Sequence, residues 1–236
     1  MNYILPVVSI GFLILIHELG HFIAARISGI PVAQFSVGFG PAVWKRTRRG
    51  TEYRLSLIPL GGYVLPAMED EAQFFQIPVR KRIFLSLGGP AANLLFPLLL
   101  LAVMNCIQGG FSVYSVLIQP LAQSAAFFSS FVTALPALFS SPDSLSGAIG
   151  IVSQGSSFIG SDIIRFMQFS VIISLNLAVF NLLPIPALDG GKVLIYLLEK
   201  IHPRLARLHL PLSIAGWLVI MGLMVYTTVL DVGRLL

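Results

Sequence analysis

A single cysteine, Cys106, is all this chain carries, so an internal disulfide and a cysteine-built metal cage are both excluded. Charge is scarce too. Only 11% of the 236 residues are charged, against about a quarter in an ordinary soluble domain. No repeat of solenoid period and no low-complexity tail is present. The first apolar run has no basic leader of the kind that precedes a cleavable signal peptide, so the expectation is that it stays in place. Lys and Arg outnumber Asp and Glu by 15 to 10, but their placement along the chain speaks for membrane topology and against a nucleic-acid partner. What fills the sequence is apolar, 56% of it. The expected class is an all-α integral membrane protein.

A helix needs about 20 residues to cross the apolar core. Four stretches reach that length: about 3–27, 83–107, 163–183 and 210–230. A fifth, about 116–139, is interrupted by Gln119, Pro120, Gln123, Ser124, Ser129, Ser130 and Pro136. Its large apolar residues Leu121, Phe128, Val132, Leu135 and Phe139 recur at helical steps. It reads as an interfacial amphipathic helix, with a fifth span as the alternative. Nine basic residues lie between the first two spans and four between the last two, while Gln108–Ser161 has none. The positive-inside rule then makes both basic loops cytoplasmic and turns both termini outward.

The first apolar stretch contains His17-Glu18-Leu19-Gly20-His21. Each ionisable group in hydrocarbon costs about 2.5–3.5 kcal/mol on insertion scales, so three within five residues demand a partner. A metal ion is the obvious one. Histidines four apart share a helix face and can hold one ion, and Glu18, about 100° round the helix, is placed to reach a metal-bound water. The plain alternative is two hydrogen-bonded core histidines with a stray carboxylate. Zinc in hydrolases typically takes three protein ligands and leaves one position open. His17 lies roughly 21 Å along its helix in a core about 30 Å thick, toward the cytoplasmic side. Asp189 follows the third span on that same side, in the Pro- and Gly-rich run Asn181–Gly191, where irregular backbone is expected. It is the best third ligand, with a helix N-cap role as the plain reading.

These motifs carry a resemblance. His17–Phe22, Phe35-Ser36-Val37-Gly38-Phe39-Gly40-Pro41, Gly50-Thr51-Glu52-Tyr53, Ile58–Val64, Gly89-Pro90-Ala91-Ala92-Asn93 and Asn181–Gly191 stand in the order found in the site-2 protease family of intramembrane zinc metalloproteases. The chain most resembles the bacterial regulator-of-sigma-E type. The resemblance implies one Zn²⁺ held by His17, His21 and Asp189, with Glu18 as general base. It implies a multi-pass protein of the bacterial inner membrane that cuts single-span membrane proteins, such as an anti-sigma factor or remnant signal peptides. Asn181 looks like the family's substrate- or oxyanion-positioning asparagine, with plain helix packing as the alternative. Asn93 and Asn176 read as hydrogen-bonding glue between helices.

Glu52–Ile58 alternates polar with apolar residues, and Gly61-Gly62 offers a turn. A hairpin-like loop at about 51–65 is expected. Its family counterpart is a re-entrant β element, on which Tyr53, Leu55 and Leu57 would position an extended substrate. Relatives of this type carry PDZ domains where this chain has only 108–161, which is too short for one. Filtering would then fall to an accessory protein or to the elements near Gln119–Phe139, and a separate site-1 protease is a further expected partner. Glu69-Asp70-Glu71 reads as a solvated loop, and His202 and His209 as surface residues. Two other classes stay open: a metal transporter, because His, Glu and Asp also line ion pathways, and a catalytically silent adaptor.

Overall fold

Apolar character on every side makes the opening run Ile4–Ile27 a helix (α1) suited to lipid or to a buried position, with Pro6 tolerated in its first turn. In the computed structural model the described residues are 3–68, 71–140, 145–202 and 209–235, with side chains described except at 59–60, 71–72, 135–139 and 235. Glu69, Asp70, Arg204 and Arg207 lie outside them, as do the side chains of Leu135 and Phe139.

After α1 come two long strands, β1 (Val32–Arg48) and β2 (Thr51–Pro66), then the short α2 (Glu71–Gln76) and the long α3 (Val79–Gly109). One π turn, Tyr114–Ile118, leads into α4 (Gln119–Ser140). The remaining helices are α5 (Ala148–Ile159), α6 (Ile163–Leu182), α7 (Asp189–Ile201) and α8 (His209–Leu235). Five helical stretches are long and apolar enough to cross a membrane, among them Tyr114–Ala134 with a mean hydropathy of 1.3. Length and composition by themselves thus do not confirm the expected count of about four spans. One of the polar residues that break this stretch in sequence has a partner on α3: Asn105 Nδ2 donates to Oε1 of the exposed Gln123 at 3.1 Å.

The sheet is larger than a 51–65 hairpin. Trp44–Arg48 pair with Thr51–Leu55 around a two-residue turn, Arg49-Gly50, whose φ values of 50° and 77° are what such a turn requires. Gln34–Val37 pair with Gly62–Leu65 on one side and face Glu52–Leu55 on the other. The two halves of β2 thus do not pair with each other; β1 lies between them. Gly38 and Gly40, with φ of 87° and 85°, bend β1, and this glycine-interrupted run hides its strand character in the sequence.

Two compact units are distinguishable. Gly11–Asn93 with Phe180–Gly216 form one; Met1–Ile10, Leu94–Val179 and Trp217–Leu236 form the other. In the first, Ala25, Ile30 and Val32 are buried among Phe22, Val64, Met68, Ile77 and Leu85. In the second, Leu101, Val171 and Leu175 pack with Leu94, Leu100 and Phe127. There Asp231, only 2% exposed, accepts the Gly150 N–H at 2.7 Å in the first turn of α5. Described residues of 108–161 form helices and turns, with no strand among them.

Candidate metal centre

Small residues bring α1 and α3 together. A Cβ at Gly20 would collide with the Gly88 carbonyl oxygen and approach Ala92 Cβ to 2.7 Å. Gly20 and Ala24 on α1, and Gly88 and Ala92 on α3, are both four apart, the spacing that lets helix backbones touch in lipid. This contact lays the α3 face of Leu85, Gly89 and Asn93 over the histidines. His21 Nδ1 donates to the Leu85 carbonyl oxygen at 2.8 Å. Asn93, fully buried, brings its Nδ2 to 3.3 Å from His17 Nδ1. Were that amide turned over to set its oxygen there, Nδ1–H would donate and the Nε2 lone pair of His17 would be freed for a ligand.

The third arm comes from the turn after α6. Pro184 and Pro186 stop the helix, and Leu183, Ile185 and Leu188 close successive turns onto Phe180, Leu183 and Ile185. This turn folds onto the start of α7 so tightly that a Cβ at Gly190 would strike the Leu182 carbonyl and one at Gly191 the Ile185 carbonyl. Asp189 is the first residue of α7, not its N-cap. Leu188 holds the cap position without a side-chain bond. The Asp189 carboxylate, 4% exposed, instead turns to the imidazoles. Its Oδ1 accepts from Lys192 Nζ at 3.1 Å, which leaves Oδ2 for the centre. Burial by itself would raise the carboxyl, but its contacts with the two imidazoles and the Lys192 charge hold it well below the usual carboxylate range.

His17 Nε2, His21 Nε2 and Asp189 Oδ2 form a nearly equilateral triangle, with sides of 3.1, 3.1 and 3.2 Å. Donors about 2.0–2.1 Å from a tetrahedral zinc lie about 3.3–3.4 Å apart, so the trio fits three corners of that shape and leaves the fourth open. Among the described residues it is also the one group of three or more His, Cys, Asp and Glu able to share an ion. Glu18 lies beside it and is half-buried. A Cβ on Gly62 would stand 2.8 Å from Glu18 Cγ. The carboxylate-bearing side chain is thereby set against the sheet segment Gly62–Leu65, whose second side pairs with no strand among the described residues.

The comparison with known proteins agrees with a zinc-type trio, a flanking carboxylate and an open sheet edge. Residues 6–224 match the sequence profile of peptidase family M50. The chain belongs to that family. M50 relatives include the regulator of sigma E protease of Haemophilus influenzae, 43% identical over 38% of this chain and 23% of that protein. Protease RseP of Yersinia pestis is 46% identical over 38% of this chain and 22% of its own length. These matches take up less than a quarter of either relative. A Campylobacter jejuni protein that carries a zinc metalloprotease name is 26% identical across all of this chain and 94% of its own length.

The other candidate positions are dispersed. Tyr53 joins an aromatic cluster with Phe22 and Phe35, centroids 5.9 and 6.2 Å away. Leu55 and Leu57 are exposed, and Asn181 is half-buried in the last turn of α6. His202 is exposed at the end of α7. His209 is not a surface loop residue: it opens α8, stacks on Tyr196 at 6.0 Å and meets Phe75 edge-on at 5.3 Å. Sequence reasoning gives no role to Leu85, Lys192 or Gly89, although Gly89 opens one of the motifs that carry the resemblance. The available signal is the i, i+4, i+8 spacing of Leu85, Gly89 and Asn93.

Proposed function

We propose that the chain is an intramembrane zinc endopeptidase that hydrolyses peptide bonds in or near the transmembrane segments of single-span membrane proteins. The observation that carries this reading is Glu18 standing between the His17–His21–Asp189 trio and the Gly62 backbone at an open sheet edge. When bound, zinc supplies Lewis acidity toward a carbonyl and lowers the pKa of water toward neutrality. Glu18 takes a proton from water as the water oxygen bonds to the scissile carbon. It then gives that proton to the amide nitrogen as the C–N bond breaks, leaving an acid and an amine.

A substrate helix engages its own carbonyls, so it must unwind before this can happen. The free side of Gly62–Leu65 offers backbone groups to an extended chain, which would add as a further strand. Leu55 and Leu57 would contribute apolar contacts, Tyr53 would brace the sheet through Phe22 and Phe35, and Asn181 would hold substrate backbone or the developing oxyanion. The relatives' names and the spans support a bacterial inner-membrane location, with the site toward the cytoplasmic side. A site-1 protease or a filter protein would act as a separate partner.

Co-expression with a tagged single-span membrane protein tests the reading. Glu18→Gln should abolish processing while keeping zinc, and Asp189→Asn should lose both. Undiminished processing in Glu18→Gln would overturn the assigned base, and zinc flux into proteoliposomes surviving that substitution would favour transport.

A further inference from the structure

From Phe39 to Gly50, twelve consecutive residues stand exposed. They form the outer segment of the sheet and its turn, at the end of β1 opposite to Gln34–Val37. The surface is apolar and cationic at once. Phe39, Val43 and Trp44 are 46, 66 and 52% exposed, beside Leu55 and Leu57. Lys45, Arg46, Arg48 and Arg49 lie among them, and none has an acidic partner among the described residues. The nearby Glu52 is already engaged by Arg54 and Gln34, each at 3.0 Å. Water suits the charges and not the rings; hydrocarbon suits the reverse. The boundary of a bilayer suits both, because aromatic rings settle at headgroup level and Lys or Arg reach phosphates there.

We propose that the edge from Phe39 to Arg49 docks on anionic phospholipid headgroups. Val43 and Trp44 enter the boundary, and Lys45, Arg46, Arg48 and Arg49 take the phosphates. The edge hangs between α1 and α3, and the proposal rests on reading those two helices as spans, which brings it to a bilayer surface. The same strand β1 continues into Gln34–Val37, which backs Gly62–Leu65 beside Glu18. Lipid charge thus bears on the strand that supports the substrate edge.

The chain has two tryptophans, so Trp217→Phe leaves Trp44 as the sole indole. That full-length variant is reconstituted into phosphatidylcholine vesicles containing about a third phosphatidylglycerol, with bromine on the acyl chains of one lipid or the other at equal bromine content. Brominated phosphatidylglycerol should quench Trp44 more strongly, and high salt should erase the difference. Combined Lys45→Gln, Arg46→Gln, Arg48→Gln and Arg49→Gln should erase it too, with each charge worth about fivefold in the docked ratio. Zinc content equal to that of the parent certifies the fold of this variant. If its zinc falls, the salt dependence of the parent decides. Equal quenching by both lipids, or a preference that persists at high salt, would overturn the proposal. So would quenching relieved by an added transmembrane substrate peptide, which would make the edge a substrate surface.

Discussion

A bare hydrogen at position 89 is what lets two imidazoles meet under α3. A methyl group there would stand 2.6 Å from His17 Nε2 and closer still to His21 Nε2, and the atoms that would have to yield are the ligands. Gly89→Ala should therefore lower zinc affinity about tenfold or more. Chelator competition reads this, with Gly109→Ala, which meets nothing within 4 Å, as the control. Asn93 acts one step further out, by fixing which nitrogen of His17 carries the proton. Asn93→Ala should weaken zinc binding by about 10–100-fold, the usual effect of removing a hydrogen bond behind a ligand. Asn93→Asp should recover much of it, because a carboxylate accepts from Nδ1–H; no recovery would assign Asn93 to packing alone.

At the scale of elements, α7 is held at both ends. Asp189 reaches the trio at its start, and near its end Glu199 takes a bidentate bond from Arg82, at 2.6 and 2.7 Å. Arg82 is 1% exposed and lies between the rings of Phe75 and Tyr196, 4.9 and 4.8 Å from their centroids. Burial pushes the Tyr196 phenol up to about 12, with Arg82 pulling the other way, so it stays a neutral hydroxyl. Removing one partner of a buried pair leaves an uncompensated charge, at a cost of about 3–5 kcal/mol. Arg82→Gln should lower thermal stability in detergent by that order, and Arg82→Gln with Glu199→Gln should be milder than the sum of the singles. Additive losses would show that the two side chains act independently. None of this clasp is legible in the sequence, where Arg82 reads as one more basic residue at a span boundary. The trio is legible because local spacing marks His17, Glu18 and His21, and because a proline-glycine turn singles out Asp189. The central position of β1 and the α3 face over the histidines depend on partners distant in the chain. No local period reports those.

For the whole molecule the open question is whether Tyr114–Ala134 crosses the bilayer, and the clasp bears on it. Arg82 lies in the first turn of α3, on the side where α1 ends, because the strands between them join those two ends. Glu199 binds it there. The end of α6 is close to the start of α7, since Gly190 packs on the Leu182 carbonyl. From Gly190 to Glu199 a helix advances only about 14 Å, half of a core about 30 Å thick. The end of α6 is then on the same side as the end of α1, which takes an even number of crossings between them. Read as spans, α3 and α6 supply two. A crossing by Tyr114–Ala134 would make three and separate those ends, so this helix should lie along the outer face, and both termini should be outside. In a Cys106→Ser background, Phe111→Cys and Ser146→Cys, which flank the helix, should be labelled by an impermeant maleimide from one side of intact cells. Thr47→Cys at the sheet turn should be labelled only after the membrane is opened. Labelling of 111 and 146 from opposite sides would establish a fifth span, and α7 would then have to reach Arg82 from the far face of the bilayer, a distance that its length does not cover.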